Sequence, residues 1–248
     1  MGRVRFYAPD RLPVCAAAES TMKLFHQNWS DARRLLRAAG LAALAVAAAI
    51  SLSSCAFTGG YGPGAGDFET VIVDAGHGGH DAGARGLSGS QEKALNLDTA
   101  RRLAAVLRQS GLPVIETRPE DGFVPLGRRV AISNRAGGSI FVSVHYNWTG
   151  RAGAQGIEIY YQSLRSKRLA ANILQETLPA YRTDNRGIKK RGFYVLRNNR
   201  RPAVLCELGF VSNPSDNRNI QSPGVRQGLA ERIAAGILAE KAGRRPAK

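Results

Sequence analysis

The feature that most restricts the fold is an alternation of two hydrophobic periods along the chain. Short runs of β-branched and apolar residues fall at 68–74, 114–117, 140–145, 156–161, 192–196 and 203–208. Segments with apolar residues at helical spacing lie between or after them, at 96–109, 126–136, 166–178 and 225–241. In 96–109, Leu97, Ala100, Leu103, Ala104 and Leu107 share one helical face, and Gly111 stops the pattern. The run IFVSVH from Ile140 to His145 is apolar almost throughout, as a central strand covered on both sides must be. Strands that alternate with helices predict an α/β fold: a single domain, a mostly parallel sheet of about six strands, and helices on both faces. In such sheets functional residues collect beyond the carboxyl ends of the strands.

Composition narrows the class of partner. The 248 residues suit one domain with appendages, and the 44% hydrophobic content is enough for a core. A formal charge of +16 favours polyanions such as nucleic acid, anionic lipid or an acidic wall polymer. Aromatic residues make up only 7%, and no basic run is interleaved with stacking residues, so no nucleic-acid partner is expected. Cys15, Cys55 and Cys206 show neither CxxC spacing nor the density of a disulfide framework.

The first 67 residues read as targeting and tether. Ala38 to Leu52 is uncharged and follows Arg33, Arg34 and Arg37. It is too short for a typical membrane span and has the form of a secretory signal. It ends in Leu52-Ser53-Ser54-Cys55, which resembles a bacterial lipobox. Residues 1–54 are therefore expected to be a signal region cleaved before Cys55, the lipidation site. Met22-Lys23 supplies a conventional start, with residues before it an upstream extension. Residues 55–67, rich in glycine, read as a flexible tether to a domain spanning 68–243. The expected location is the cell envelope, lipid-anchored. Ala56 after the cysteine points to the periplasmic face of the outer membrane if the host has two membranes.

The residues with chemical capacity sit at the expected strand ends. VIVDAGHGGHDAG, from Val71 to Gly83, runs from a strand into a glycine-rich turn carrying His77 and His80, with no Lys-Ser/Thr pair of a phosphate loop behind it. His145 ends the IFVSV strand, Glu207 ends the strand at 203–208, and Glu92 falls in the loop before the first helix. Two histidines and a carboxylate are the donor types of a hydrolytic zinc site, which keeps one position for water. Taken alone, a histidine at a strand end fits equally a hydrogen-bonded rim residue.

Taken together the strings resemble the zinc-dependent N-acetylmuramoyl-L-alanine amidases of the Amidase_3 type. The family's GHGGxDPGAxG stands as Gly76 to Gly86, EKxxNL as Glu92 to Leu97, and TRxxD as Thr117 to Asp121. LxxRxxxAN stands as Leu126 to Asn134, SIHxN as Ser143-Val144-His145-Tyr146-Asn147, RGxK as Arg186 to Lys189, and ELGFxSN as Glu207 to Asn213, with Ala82 replacing the proline of the first motif and Ser133 the alanine before Asn134. The resemblance implies a Zn2+ ion held by His77, Glu92 and His145, with Glu207 as general base. It implies hydrolysis, by zinc-activated water, of the amide between N-acetylmuramic acid and L-alanine of the peptidoglycan stem, in wall remodelling or septum splitting. Two alternatives stand beside it: a zinc peptidase acting within the stem peptide, and a non-catalytic peptidoglycan-binding module. The partners implied are peptidoglycan and, through the lipid, a membrane, for a monomer without the autoinhibitory insert of some relatives.

Other positions carry looser expectations. Asn147 either contacts substrate or caps the turn after His145, and Lys189 either meets anionic polymer or belongs to a solvated basic loop. Tyr146, where the family has a small residue, is expected to line the cleft. Asp74 is read as a partner of a ligand imidazole or as a strand-end cap. Arg118 and Arg129 are read as structural, paired with Asp121, and His80 as an exposed turn residue. Cys206 adjoins Glu207 on a strand and so points to the opposite face, as a small buried hydrophobe.

Overall fold

The structure is a computed structural model that describes residues 64–151 and 153–246. The expectations placed on the signal region, on Cys55 and on most of the tether lie outside the described residues. The six strands are β1 (Thr70–Ala75), β2 (Val114–Glu116), β3 (Ser139–Asn147), β4 (Ile157–Tyr161), β5 (Asn185–Lys190) and β6 (Ala203–Phe210). They form one sheet in the order β2-β1-β3-β6-β4-β5. All neighbours are parallel except β4 and β6, which run antiparallel. The helices are α1 (Glu92–Gln109), α2 (Leu126–Arg135), α3 (Lys167–Thr177), α4 (Tyr194–Arg197), α5 (Pro214–Ile220) and α6 (Pro223–Lys241).

Strand parity sorts the side chains into two layers. Val71, Val73, Ile140, Val142, Val204 and Cys206 point to one face, where they pack in a large core with α1, α3 and α6. Ile72, Phe141, Ala203 and Leu205 point to the other, against Val130 of α2 and Val195 and Leu196 of α4. The same parity carries Asp74, Ser143, His145 and Glu207 onto this second face at the carboxyl ends of β1, β3 and β6. The second core is small and stops short of those ends, which leaves room there for a cleft.

Three expectations of local structure are corrected. The run at 192–196 is not a strand: Tyr194–Arg197 is a short helix, and the fifth strand is Asn185–Lys190. That strand is an edge, with Ile188 its only large apolar residue. Its place is set by backbone pairing with β4, which side-chain pattern does not reveal, while its charges discourage further pairing. Glu92 is not in a loop but is the first residue of α1, four residues earlier than the apolar period suggests. Helix α5 was not anticipated, although Asn213 caps it by accepting from the Ser215 and Asp216 amides and Pro214 opens its first turn.

Candidate active site

The turn after β1 is bent so that His77 faces back over the sheet. His77 has φ +58, the left-handed region that a non-glycine residue adopts only when held there. Two buried arginines do the holding. Arg118 donates to the carbonyls of Ala75 (2.8 Å), Gly76 (2.8 Å) and Lys93 (2.9 Å). Arg129 donates to the carbonyls of Ala75 (2.5 Å) and His77 (2.6 Å). Its charge is balanced by Asp74 at 2.6 Å, which also accepts from Thr117 (2.5 Å) and Ser143 (2.6 Å). The expected pairing of the arginines with Asp121 is therefore wrong. Asp121 is on the surface, where it pairs with Lys93 at 2.6 Å and accepts from the Gly79 amide. Among the described residues Asp74 bonds Arg129, Thr117 and Ser143 and no imidazole.

His77, Glu92 and His145 converge, with one donor atom from each lying within 4.8 Å of the others. The two imidazole rings meet edge to face at 5.1 Å between centroids. Gly76 makes this approach possible, since a Cβ on it would lie 2.1 Å from the His145 ring. Glu92 is buried and fully engaged. Its Oε1 accepts from His145 Nδ1 (3.0 Å), Asn96 Nδ2 (3.1 Å) and the Tyr146 amide (3.3 Å). Its Oε2 accepts from the Ala84 amide (3.0 Å) and faces His77 Nε2 at 3.2 Å. The other nitrogen of His77, Nδ1, donates to Asp81 at 2.9 Å. Asp81 was missed as a functional residue; its position four residues after His77 in a glycine turn was the available signal.

The electrostatics follow from these contacts. Burial opposes ionisation of Glu92, but His145 and His77 outweigh it and hold the carboxyl far below its usual range. Burial likewise opposes charge on His77, and Glu92 followed by Asp81 more than reverses this, raising the imidazole to about 8. Glu207 lies directly across from His145 in the parallel β3–β6 ladder. Burial, and then the charges of Glu92 and Glu158, push its carboxyl well above the normal value. Its Oε2 is buried without a hydrogen-bond partner among the described residues. A cavity of about 480 Å³ opens over His77, His145 and Glu207, walled by Phe123, Leu126 and Phe193.

The remaining sequence expectations divide. His80 is exposed and packs its ring on Phe123 at 4.1 Å, and it is not one of the three converging donors. Tyr146 does not line the cleft: strand parity turns it to the α1 side, where it is buried and its hydroxyl meets Thr99 at 2.7 Å. Cys206 is buried on that same side. Asn147 (2.8 Å) and Lys189 both donate to Glu158, one strand beyond Glu207. Glu158 was missed entirely, because in GIEIYY it reads as an ordinary outward-facing strand residue.

The donor set can take a divalent ion. Two imidazole nitrogens and one carboxylate oxygen are the mixed ligands that hydrolytic zinc prefers. An unbonded carboxyl oxygen lies next to them. An open α/β sheet with such a group at its strand ends, under a cleft with a poised carboxyl, has the layout of a hydrolase. The chain belongs to the N-acetylmuramoyl-L-alanine amidase family Amidase_3, whose model matches residues 71–239. It is 39% identical over 173 residues to the uncharacterized protein YqiI of Bacillus subtilis, a match that covers 68% of this chain and 83% of that one. It is 35% identical over 174 residues to the N-acetylmuramoyl-L-alanine amidase LytC of the same organism, covering 68% of this chain and 35% of LytC. Among solved structures, the catalytic domain of the amidase CwlV from Bacillus (Paenibacillus) polymyxa superposes with a TM-score of 0.68 at 35% identity, over 72% of this chain and 100% of that domain. The amidase AmiC2 of Nostoc punctiforme gives a TM-score of 0.67 at 38% identity, over 71% of this chain and 97% of that one.

Proposed function

We propose that this chain hydrolyses the amide between the lactyl group of N-acetylmuramic acid and L-alanine in peptidoglycan, with zinc held by His77, Glu92 and His145. The observation that carries the reading is the convergence of those three side chains beside Glu207, a carboxyl with one buried, unbonded oxygen. A divalent ion at the three donors supplies Lewis-acid polarisation of the scissile carbonyl and makes water more acidic. Glu207 then takes the proton of the attacking water and returns it to the alanyl nitrogen as the carbon–nitrogen bond breaks. An environment that raises its pKa suits a group that has to hold this proton between the two steps. Asp81 fixes the His77 ring through Nδ1, which leaves Nε2 for the ligand position. Asn96, bonded to both Glu92 and the Gly76 carbonyl, ties the carboxylate to the turn that carries His77.

The test is mass spectrometry of purified sacculi digested by the full-length protein. Release of intact stem peptides from uncut glycan is expected; shortened stems would show a peptidase acting within the stem. Zymography separates catalysis from mere binding. Clearing by the wild type and none by Glu207→Ala is expected, and equal clearing by both would refute the assigned base. Attachment to the envelope rests on the sequence of the signal region and Cys55. It predicts fatty-acid labelling of the protein that Cys55→Ala removes.

A further inference from the structure

A second cavity, of about 540 Å³, opens beside the first and is not used by the chemistry above; Arg151, Glu158, Tyr160, Arg186 and Phe210 line it. It adjoins the reacting group, because Glu158 pairs with Glu207 in the antiparallel β4–β6 ladder and cross-strand partners share a face. Tyr160 forms the partition, its ring set edge-on to Phe193 of the first cavity at 5.0 Å.

The charge in this cavity is unbalanced. Glu158 accepts from Asn147 (2.8 Å), from the Tyr160 hydroxyl (2.5 Å), from Arg186 Nε (2.9 Å) and from Lys189. These donors occupy the lone pairs of the carboxylate, so it organises the pocket rather than moving protons. Among the lining residues one carboxylate, Glu158, thus stands with two cations, Arg151 and Arg186, while Lys189 of β5 reaches the same carboxylate. Arg186 lies over the Phe210 ring at 4.9 Å, which fixes its guanidinium plane. It donates through Nε to Glu158 and, at 3.4 Å, through Nη1 to the Gln155 carbonyl. A surplus of positive charge on an oriented guanidinium, in a partly enclosed pocket, is the complement of a carboxylate. The first cavity differs: Phe123, Leu126 and Phe193 give it an apolar wall suited to the faces of a sugar.

We infer that the second cavity is the subsite for an anionic residue of the departing stem peptide, and that Arg186 determines specificity by binding the carboxylate of the residue that follows the released alanine. The inference rests on the amidase reading and adds a direction to it. The peptide runs over β6 toward β4 and β5, and the glycan lies on the side of α2 and α4.

The experiment compares two soluble muropeptides that differ only in whether the carboxyl of the second stem residue is free or amidated. The wild-type full-length protein is expected to favour the free acid about 10-fold or more in kcat/KM, chiefly through KM. Arg186→Gln should erase the preference by lowering kcat/KM on the free acid about 10-fold or more, leaving the amidated substrate within about 3-fold. Since Arg186 also balances Glu158, Arg151→Gln on the exposed loop provides a second variant, expected to shrink the preference several-fold. Equal use of both substrates by the wild type overturns the subsite, and so does an equal loss on both with either variant. If the wild type releases stem peptide from neither, the subsite is overturned, and the amidase reading falls with it only if purified sacculi also yield no stem peptide.

Discussion

Glu92 and Glu207 lie in the two halves of one site and are treated in opposite ways. At the start of α1, Glu92 is surrounded by donors from the β1 turn, the first turn of its own helix and β3, and is held ionised. On β6, Glu207 has carboxylates for electrostatic neighbours and a buried oxygen without a partner, so it is driven toward the protonated form. The same functional group becomes a fixed anion in one half and a proton carrier in the other, purely through what surrounds it. A fixed anion suits a ligand, and a carboxyl of raised proton affinity suits a base when a cation held beside it leaves it ionised.

Substitutions should break this contrast unequally. The largest effect belongs to Glu207: Glu207→Gln should lower kcat about 10²- to 10⁴-fold by removing the proton carrier. Because the carboxyl is strained electrostatically where it sits, the same variant should melt at an unchanged or higher temperature and retain its metal. A clear drop in melting temperature would show that Glu207 is structural.

Next comes the scaffold under the other half. Arg129→Ala leaves Asp74 as a buried unpaired charge, removes the arginine from the His77 carbonyl and leaves the Ala75 carbonyl to Arg118 alone. It should destabilise the fold by about 3 kcal/mol in chemical denaturation, and metal content should fall with it. Its surface counterpart is far milder. Asp121→Asn cuts an exposed pair with Lys93 and should cost less than about 1 kcal/mol.

The smallest effect is a proton count. With His77 raised to about 8, its stabilising contact with Glu92 is fully present below the unfolded value near 6.5 and is lost as pH rises through 8. Glu92, depressed, contributes above its ordinary value of 4.5 and loses that contribution as pH falls toward its folded value. Metal-free protein should therefore be most favoured by this contact between about pH 5 and 6.5. In metal-free protein the His77 imidazole should titrate near pH 8 rather than near 6.5. Imidazole NMR against pH measures this directly, and a midpoint at or below about 6.5 would show that Glu92 and Asp81 do not hold the His77 proton.

Much of this arrangement was legible in the chain. Alternating periods were enough for the α/β class and for β1, β3 and β6, because a strand covered on both faces must be apolar along its length. Glycines flanking His77 announced a turn at a strand end. The fifth strand and Glu158 escaped notice for one cause. Asn185–Lys190 is a strand only because β4 offers it a backbone edge, and Glu158 is buried only because Asn147, Tyr160, Arg186 and Lys189 reach it from separate segments. Tyr146 was misplaced for want of parity: it follows His145 on the same strand and so must face away from it.

The sequence by itself determined which segments are strands and helices of the core and which residue types could do chemistry, since periodicity and side-chain character are local properties. Only the tertiary structure decided which of those residues meet. Pairing of β1, β3, β6 and β4 brings positions from 77 to 207 into one row, and the dielectric and charge around each carboxyl, which set whether it binds an ion or carries a proton, exist only once those strands are side by side.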